Sequence, residues 1–299
     1  MSSPNRPVLG VFWMFVTGVC FVAVTALVKY LGSDMPAAES AFLRYFIGLV
    51  FLLPILWHQR GGGVSGRRLT WHGLRGLVHS LGVILWFFAM TRISIAEVTA
   101  MNYLSPVYVT IGAAVFLGER LAARRIAAVV AAFLGAMIIL RPGFRALDDG
   151  HVAMLAAAAF FSVSYILGKK FADEMPASTV VAMLSVTVTI GLFPFALAVW
   201  VPPTLGEVLI LGFVAFFATA GHYTMTLSFA NAPVTVTQPV TFLQLVWATT
   251  MGAVFFAEPA DVWVILGGAV ILSSVTFITW REAVLRRAGI APSVNAPKS

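Results

Sequence analysis

The sequence predicts an all-helical membrane protein: ten transmembrane helices arranged as two inverted five-helix repeats. Three observations predict it. The chain of 299 residues is 60% hydrophobic and only 10% charged, its apolar runs are each about the length of one bilayer crossing, and its two halves resemble one another. A soluble domain carries about a quarter charged residues, so the composition excludes a soluble enzyme, a disordered chain and a DNA-binding domain. The excess of 19 Lys and Arg over 12 Asp and Glu is read first as a membrane orientation signal rather than as a nucleic-acid surface. The one cysteine, Cys20, lies in an apolar run, which leaves no intramolecular disulfide and no cysteine-based metal site.

About 20 apolar residues cross the hydrocarbon core. The first run, 8–31, follows Arg6; it is too long for a signal-peptide core and has no convincing cleavage site, so it reads as a transmembrane helix. The second, 37–57, contains Arg44 and Pro54. The third, 72–91, carries His79, with Val83, Trp86 and Met90 along the same face. The fourth, 96–117, contains Asn102, Tyr103, Ser105 and Pro106. The fifth, 124–141, has small residues at four-residue spacing: Ala127, Ala131 and Gly135 on one face and Ala128, Ala132 and Ala136 on the next. Such stripes let helix backbones approach closely where lipid supplies no hydrophobic drive. The sixth, 150–170, follows the break at Asp148-Asp149-Gly150. The seventh, 178–200, holds Pro194; the eighth, 206–229, holds His222, Thr226 and Phe229. The ninth, 235–256, holds Gln238, Pro239, Gln244 and Trp247, and the tenth is 261–280. The connections, such as Gly61-Gly62-Gly63, are too short for an extramembrane domain. No run shows the period-2 alternation of a barrel strand.

With the N-terminus in the cytoplasm, alternate loops give 14 basic residues inside (among them Arg60, Arg67, Arg68, Arg75, Arg120, Arg124, Arg125 and the Arg281–Lys298 tail) against 4 outside, Lys29, Arg92, Arg141 and Arg145. That split places both termini in the cytoplasm.

The halves repeat. Lys29 recurs as Lys169, Met35-Pro36 as Met175-Pro176 and Pro54 as Pro194, each 140 residues later; residues 104–119 then match 243–258 with seven identities in sixteen positions. The repeats divide the chain at 1–149 and 150–299. Five spans per half is an odd number, so the second half enters the membrane from the opposite side, an arrangement characteristic of secondary transporters with a site near the midplane.

Ten helices in two five-helix repeats, Arg44 in the second span, a fourth span ending Phe-Leu-Gly-Glu-Arg (Phe116 to Arg120) and a ninth ending Phe-Phe-Ala-Glu (Phe255 to Glu258) resemble the EamA-type drug/metabolite transporters over residues 8–281. His222-Tyr223, Gln238-Pro239 and the Trp-bearing ninth span are similar to that superfamily's aromatic amino-acid exporter branch. The resemblance implies a non-enzymatic exporter of amino acids and other small metabolites in a bacterial inner membrane.

Polar side chains inside hydrocarbon mark candidate sites. His79 and His222 lie on equivalent helices, His222 matching Val83, one turn from His79. They are expected to face a shared axis with Trp86, Thr226, Asn102, Tyr103, Gln238 and Gln244, a lining suited to a zwitterion with an apolar or aromatic side chain. Each of these also serves as interhelical hydrogen-bonding glue in the alternative reading. Arg44 could reach a substrate carboxylate, which a guanidinium pairs bidentately, but it is expected rather to gate or to brace, snorkelling toward the outer interface with Glu39; its counterpart is Leu184. Pro54, Pro106, Pro194 and Pro239 are candidate hinges or kinks. Glu119 and Glu258 end equivalent spans, where a carboxylate favours the N-terminus of the helix that follows.

No Gly-x-x-x-x-Gly-Lys-Ser/Thr loop, His-Glu-x-x-His or Gly-x-Ser-x-Gly motif occurs, so no nucleotide, metal or other cofactor is expected. The expected partners are a small-molecule substrate, the lipid bilayer and protons as the candidate coupling ion. With no Asp or Glu at the midplane, His79 or His222 would carry those protons. The competing readings are a multidrug exporter of organic cations, a membrane enzyme acting on lipid, and a receptor or assembly subunit.

Overall fold

A computed structural model describes the chain except for residues 1–5, 59–65, 118–121, 145, 173–176, 233 and 288–299. The Gly61–Gly63 connection, Met175-Pro176, Arg60, Arg120, Arg145, Glu119 and the C-terminal tail lie outside the described residues, as do the side chains of Pro54, Arg67, Arg68, Lys169, Gln238 and Pro239. Among the described residues there is no strand. The helices are α1 (Pro7–Leu31), α2 (Ala37–His58), α3 (Gly66–Met90), α4 (Ile95–Asn102), α5 (Ser105–Leu117), α6 (Ala123–Leu140), α7 (Asp149–Ala172), α8 (Ala177–Ala198), α9 (Leu205–Asn231), α10 (Val234–Thr237), α11 (Phe242–Phe256) and α12 (Val262–Arg287). A 3-10 turn, Gln238–Thr241, joins α10 to α11.

Local chemistry sets the boundaries. Pro7 opens α1, where its missing N–H costs nothing. Ser94 with Glu97, and Thr204 with Glu207, form reciprocal capping boxes that start α4 and α9. Pro194 lies exposed within α8, which continues through it, so no hinge is visible there.

Each expected span coincides with a helix or an interrupted pair. Among the described residues, seven helices are long and apolar enough to cross a bilayer alone. The fourth and ninth spans differ from expectation: each is broken, into α4 and α5 and into α10, the 3-10 turn and α11. At 1.5 Å per residue, α4 spans about 12 Å and α5 about 20 Å, so neither crosses a hydrocarbon core of about 30 Å by itself.

The internal repeat is visible in the helix starts. Ala37 and Ala177 are separated by 140 residues; Gly66 and Leu205, Ile95 and Val234, and Ala123 and Val262 are separated by 139. The packing repeats as well. α1 lies along α9 as α7 lies along α3; α2 meets α9 as α8 meets α3; α1 meets α11 as α7 meets α5; α2 pairs with α8 and α6 with α12. Every one of these contacts joins one half to the other, so the halves fold as one bundle.

Of the two small-residue faces on α6, Ala128, Ala132 and Ala136 are buried, together with Gly135, while Ala127 is exposed. Gly135 faces Gly267 on α12: a methyl added at Gly135 would lie 2.8 Å from the Gly267 carbonyl oxygen, and one at Gly267 would strike the Gly135 carbonyl. The crossing therefore requires two glycines. Gly267→Val should destabilise the protein by about 1–3 kcal/mol through overpacking, whereas Ala127→Val on the outward face should stay within about 0.5 kcal/mol. Thermal unfolding in detergent measures both, and equal midpoints for the two variants would contradict the close crossing.

Candidate functional site

Two features occupy the interior. The first is the meeting of the breaks. Tyr103 caps the end of α4, is 8% exposed, and donates its hydroxyl to the Thr241 carbonyl at 2.7 Å, where the 3-10 turn passes into α11. A broken helix frees backbone carbonyls, which in a dry interior must find donors; here a side chain from one break serves the other. Asn102, the last residue of α4, is half-buried, and its side chain makes no hydrogen bond to another described residue. Gln244 sits in the first turn of α11 against Gly18 of α1, whose missing side chain makes room for it.

The second is a basic and aromatic group between α2, α3, α7 and α9. His79 is buried and its Nδ1 lies 3.0 Å from the Ser164 hydroxyl on α7. Its ring rests against Phe161 at 5.0 Å and faces Tyr45 at 6.5 Å. Arg44 and His222 lie within electrostatic reach of His79, as does Arg75. His222 meets Phe21 of α1 edge to face at 5.2 Å. Trp86 joins through Phe161 at 6.1 Å, its indole N–H buried and without a partner among the described residues. His222 is half-buried and Tyr165 is 48% exposed, so neither belongs to the fully packed core.

The candidate residues thus separate. His79, His222, Trp86 and Arg44 come together, from α2, α3 and α9. Tyr103 is committed to the Thr241 carbonyl. The Thr226 hydroxyl is exposed and donates to the His222 carbonyl of its own helix at 2.9 Å. Arg44 does not pair with Glu39: it is 8% exposed with its guanidinium 3.9 Å from the Tyr45 ring, and Glu39 instead accepts the Val201 N–H at 2.9 Å. Nor does Glu258 serve the helix after it. Its carboxylate crosses to α4, accepting the Ile95 N–H at 3.0 Å and pairing with Lys29 Nζ at 2.6 Å. Ala257 in the left-handed conformation turns the chain at the end of α11, and Gly252 leaves room for the carboxylate. Lys29 also donates to the Ile93 carbonyl at 2.7 Å. At this same end of the bundle, Glu97 meets His151 at 3.2 Å and Arg141 pairs with Asp261.

Arg75 was expected in a loop. It lies instead one turn from His79 inside α3, 6% exposed, donating Nε to the Ser164 carbonyl at 3.1 Å, with its guanidinium over Gly168. The signal was present in the spacing: His72, Arg75, His79, Val83 and Trp86 follow one helical face. Tyr45, Ser164 and Tyr165 carried no sequence signal that separates them from ordinary core positions.

Long apolar helices packed as a doubled bundle, with two opposed breaks and a buried polar group drawn from both halves, define a multi-pass membrane transporter. The model of the EamA-like transporter family matches residues 8–141 and again 149–280, and the chain belongs to that family. A riboflavin transporter of Vibrio cholerae is 32% identical over 299 residues, covering 96% of this chain and 98% of that one. An S-adenosylmethionine uptake transporter of Rickettsia bellii is 24% identical, covering 92% and 94%, and a pseudopaline exporter of Pseudomonas aeruginosa is 25% identical, covering 88% and 93%. The family is one of transporters, and the chain is not an enzyme. These relatives move small molecules of several kinds and do not single out amino acids.

Glu258→Ala should cost about 1–3 kcal/mol, because it strands both the Ile95 N–H and the Lys29 ammonium. Glu258→Gln keeps an acceptor for Ile95 and should cost less. Thermal midpoints in detergent decide it; equal losses for the two variants would show that the α4 cap contributes nothing.

Proposed function

We propose that this chain is a secondary transporter that exports small metabolites combining an aromatic or apolar ring with polar groups, amino acids including aromatic ones among them. It acts by alternating access of two inverted five-span modules, 1–149 and 150–299, ten crossings in all, in the bacterial inner membrane with both termini cytoplasmic. The observation that carries the substrate reading is the buried group of Arg44, His79 and His222, drawn from both modules and walled by Tyr45, Phe161, Tyr165 and Trp86. Hydrogen-bonding groups on an aromatic wall suit a flat, polar-edged solute.

The paired breaks support the mechanism. Discontinuous helices at equivalent places in inverted halves are typical of transporters that rock around a midplane site. The orientation rests on the basic residues: removing Arg75 from the loop count leaves 13 inside against 4 outside. In that orientation, the end of the bundle holding the Lys29–Glu258 and Arg141–Asp261 pairs faces outward.

Protons are the candidate coupling ion. Among the described carboxylate side chains, each lies in the first turn of a helix or in a connection, so His79 and His222 are the titratable candidates near neutrality. The same distribution weighs against the organic-cation reading, which needs a carboxylate at the midplane. A second reading, transport of a flavin, is favoured by the 32% identity to the riboflavin transporter of Vibrio cholerae.

Counterflow into proteoliposomes with labelled tryptophan, phenylalanine, riboflavin and S-adenosylmethionine, with and without a pH gradient, tests both readings. Uptake of the aromatic amino acids is the expected result; uptake of riboflavin alone establishes the second reading, and flux of none of the four defeats both. Alanine at His79 or His222 should cut flux about tenfold, the worth of one buried hydrogen-bonding group, with folded yield retained. Alanine at Asn102, Tyr103, Gln238 and Gln244 should cut it less, and unchanged flux in all six variants would defeat the assignment. Cysteine labelling near the two termini should place both on the cytoplasmic face; opposite faces would rule out the inverted arrangement.

A further inference from the structure

Arg44 stands apart from the other buried cations. Lys29 has Glu258, Arg141 has Asp261, and Arg75 gives its Nε to the Ser164 carbonyl. Arg44 has neither an ion pair nor a hydrogen bond to any described residue, although only 8% of its surface is exposed. Its one recorded contact is the Tyr45 ring, 3.9 Å below the guanidinium, which orients the plane without satisfying a single N–H. Unlike Nη1 of Arg75, no Arg44 nitrogen is both fully buried and unpartnered, and the half-exposed Tyr165 and half-buried His222 belong to the same basic and aromatic group.

His79 and His222 both lie within electrostatic reach of Arg44. The carboxylate on the same helix, Glu39, accepts the Val201 N–H through Oε2 and makes no ion pair with Arg44 among the described residues. An unpaired cation in a membrane interior is costly and is retained where it has a task. The fold does not need it: the equivalent position of α8 is Leu184, and α8 forms over the matching residues without a charge.

Building on the transporter reading, we propose that Arg44 is the anion-binding residue of the substrate site, and that the preferred substrate carries an oxyanion, a carboxylate or a phosphate monoester, next to its ring. The free guanidinium edge offers two parallel N–H donors to two oxygens, while Tyr45, Phe161 and Tyr165 receive the ring. Arg75, held by Ser164, is a positioning residue that keeps His79 and the α3–α7 contact in place and adds positive potential.

The test uses purified full-length protein in detergent and two pairs of probes that differ in the anionic group: tryptophan against tryptamine, and flavin mononucleotide against riboflavin. The concentration giving half-maximal thermal stabilisation is read for each. For the wild type, the anionic member of at least one pair should act at a concentration about tenfold lower than its partner, as expected for one charge-assisted bidentate contact. A preference in the first pair identifies a carboxylate site, and one in the second a phosphate site. Arg44→Gln should bring that ratio close to one while leaving the weaker member unchanged, and Arg44→Lys should retain part of it. Equal potency within both pairs, a preference for tryptamine, or a full preference surviving in Arg44→Gln would overturn the proposal. Should Arg44→Gln fail to fold, the wild-type ratios and Arg44→Lys still decide. Transport of riboflavin and tryptamine as efficient as that of their anionic partners sinks the anion site alone; silence of all four probes in both stabilisation and counterflow sinks the transporter reading with it.

Discussion

Hydrocarbon offers no hydrogen bonds, and that constraint shapes everything else in this molecule. A helix satisfies its own backbone and can cross lipid unaided; an interrupted helix cannot, unless protein covers the gap. The fourth and ninth spans are both interrupted, at 103–104 and 238–241. Their placement in the bundle is therefore obligatory. Tyr103 spans from one gap to the other, and the first amide of α4, that of Ile95, is met by Glu258, arriving from the loop before α12. Each half supplies what the other leaves unsatisfied, so neither half has its breaks covered without its counterpart. The interleaved packing of α1 on α9 and of α7 on α3 has the same consequence.

Close approach is what makes those exchanges possible. Gly76 lies against Thr187, Gly168 under the Arg75 guanidinium, Gly18 against Gln244, and Gly135 against Gly267. In water such contacts would add little to a hydrophobic core. In lipid, where side chains gain nothing by leaving an apolar solvent, van der Waals contact and short hydrogen bonds are the available attractions, and both demand that backbones come near. The exposed apolar residues, Leu134, Ile190 and Val254 among them, are as hydrophobic as the interior, which is why composition alone cannot tell an inward face from a lipid-facing one here.

That limit marks how far the sequence could be read. The all-helical character follows from the lengths of the apolar runs, and the helix starts recur at offsets of 140 and 139, as in the Pro54/Pro194 match and in the match of 104–119 to 243–258. The breaks were hidden because Asn102–Ser105 and Gln238–Thr241 remain apolar enough to join their flanks, and Pro106 is as acceptable in the first turn of a new helix as in a kink. Arg75 fell within the third run, 72–91, yet was counted with the basic residues of the preceding loop; α3 starts at Gly66 and holds it inside the helix, its Nε donating to the Ser164 carbonyl. Glu258 was given to the wrong helix because its position in the chain says that α12 follows, while the left-handed Ala257 turns it toward α4. His79 and His222, in contrast, stand out in the sequence by their isolation in apolar helices, and each lies within electrostatic reach of Arg44.

Scaffold and site obey different symmetries. The helix starts and packing pairs repeat across the halves, but the polar groups do not: Arg44 is matched by Leu184, His79 by Ala218, and His222 by Val83. A symmetric bundle allows two openings of similar energy, which alternating access requires. A symmetric site would bind a two-fold symmetric ligand or bind an ordinary one in two equivalent orientations. Arg44, Arg75 and His79 stand on α2 and α3 of the first half, and His222 alone among these comes from the second, so the polar group is asymmetric within helices that repeat.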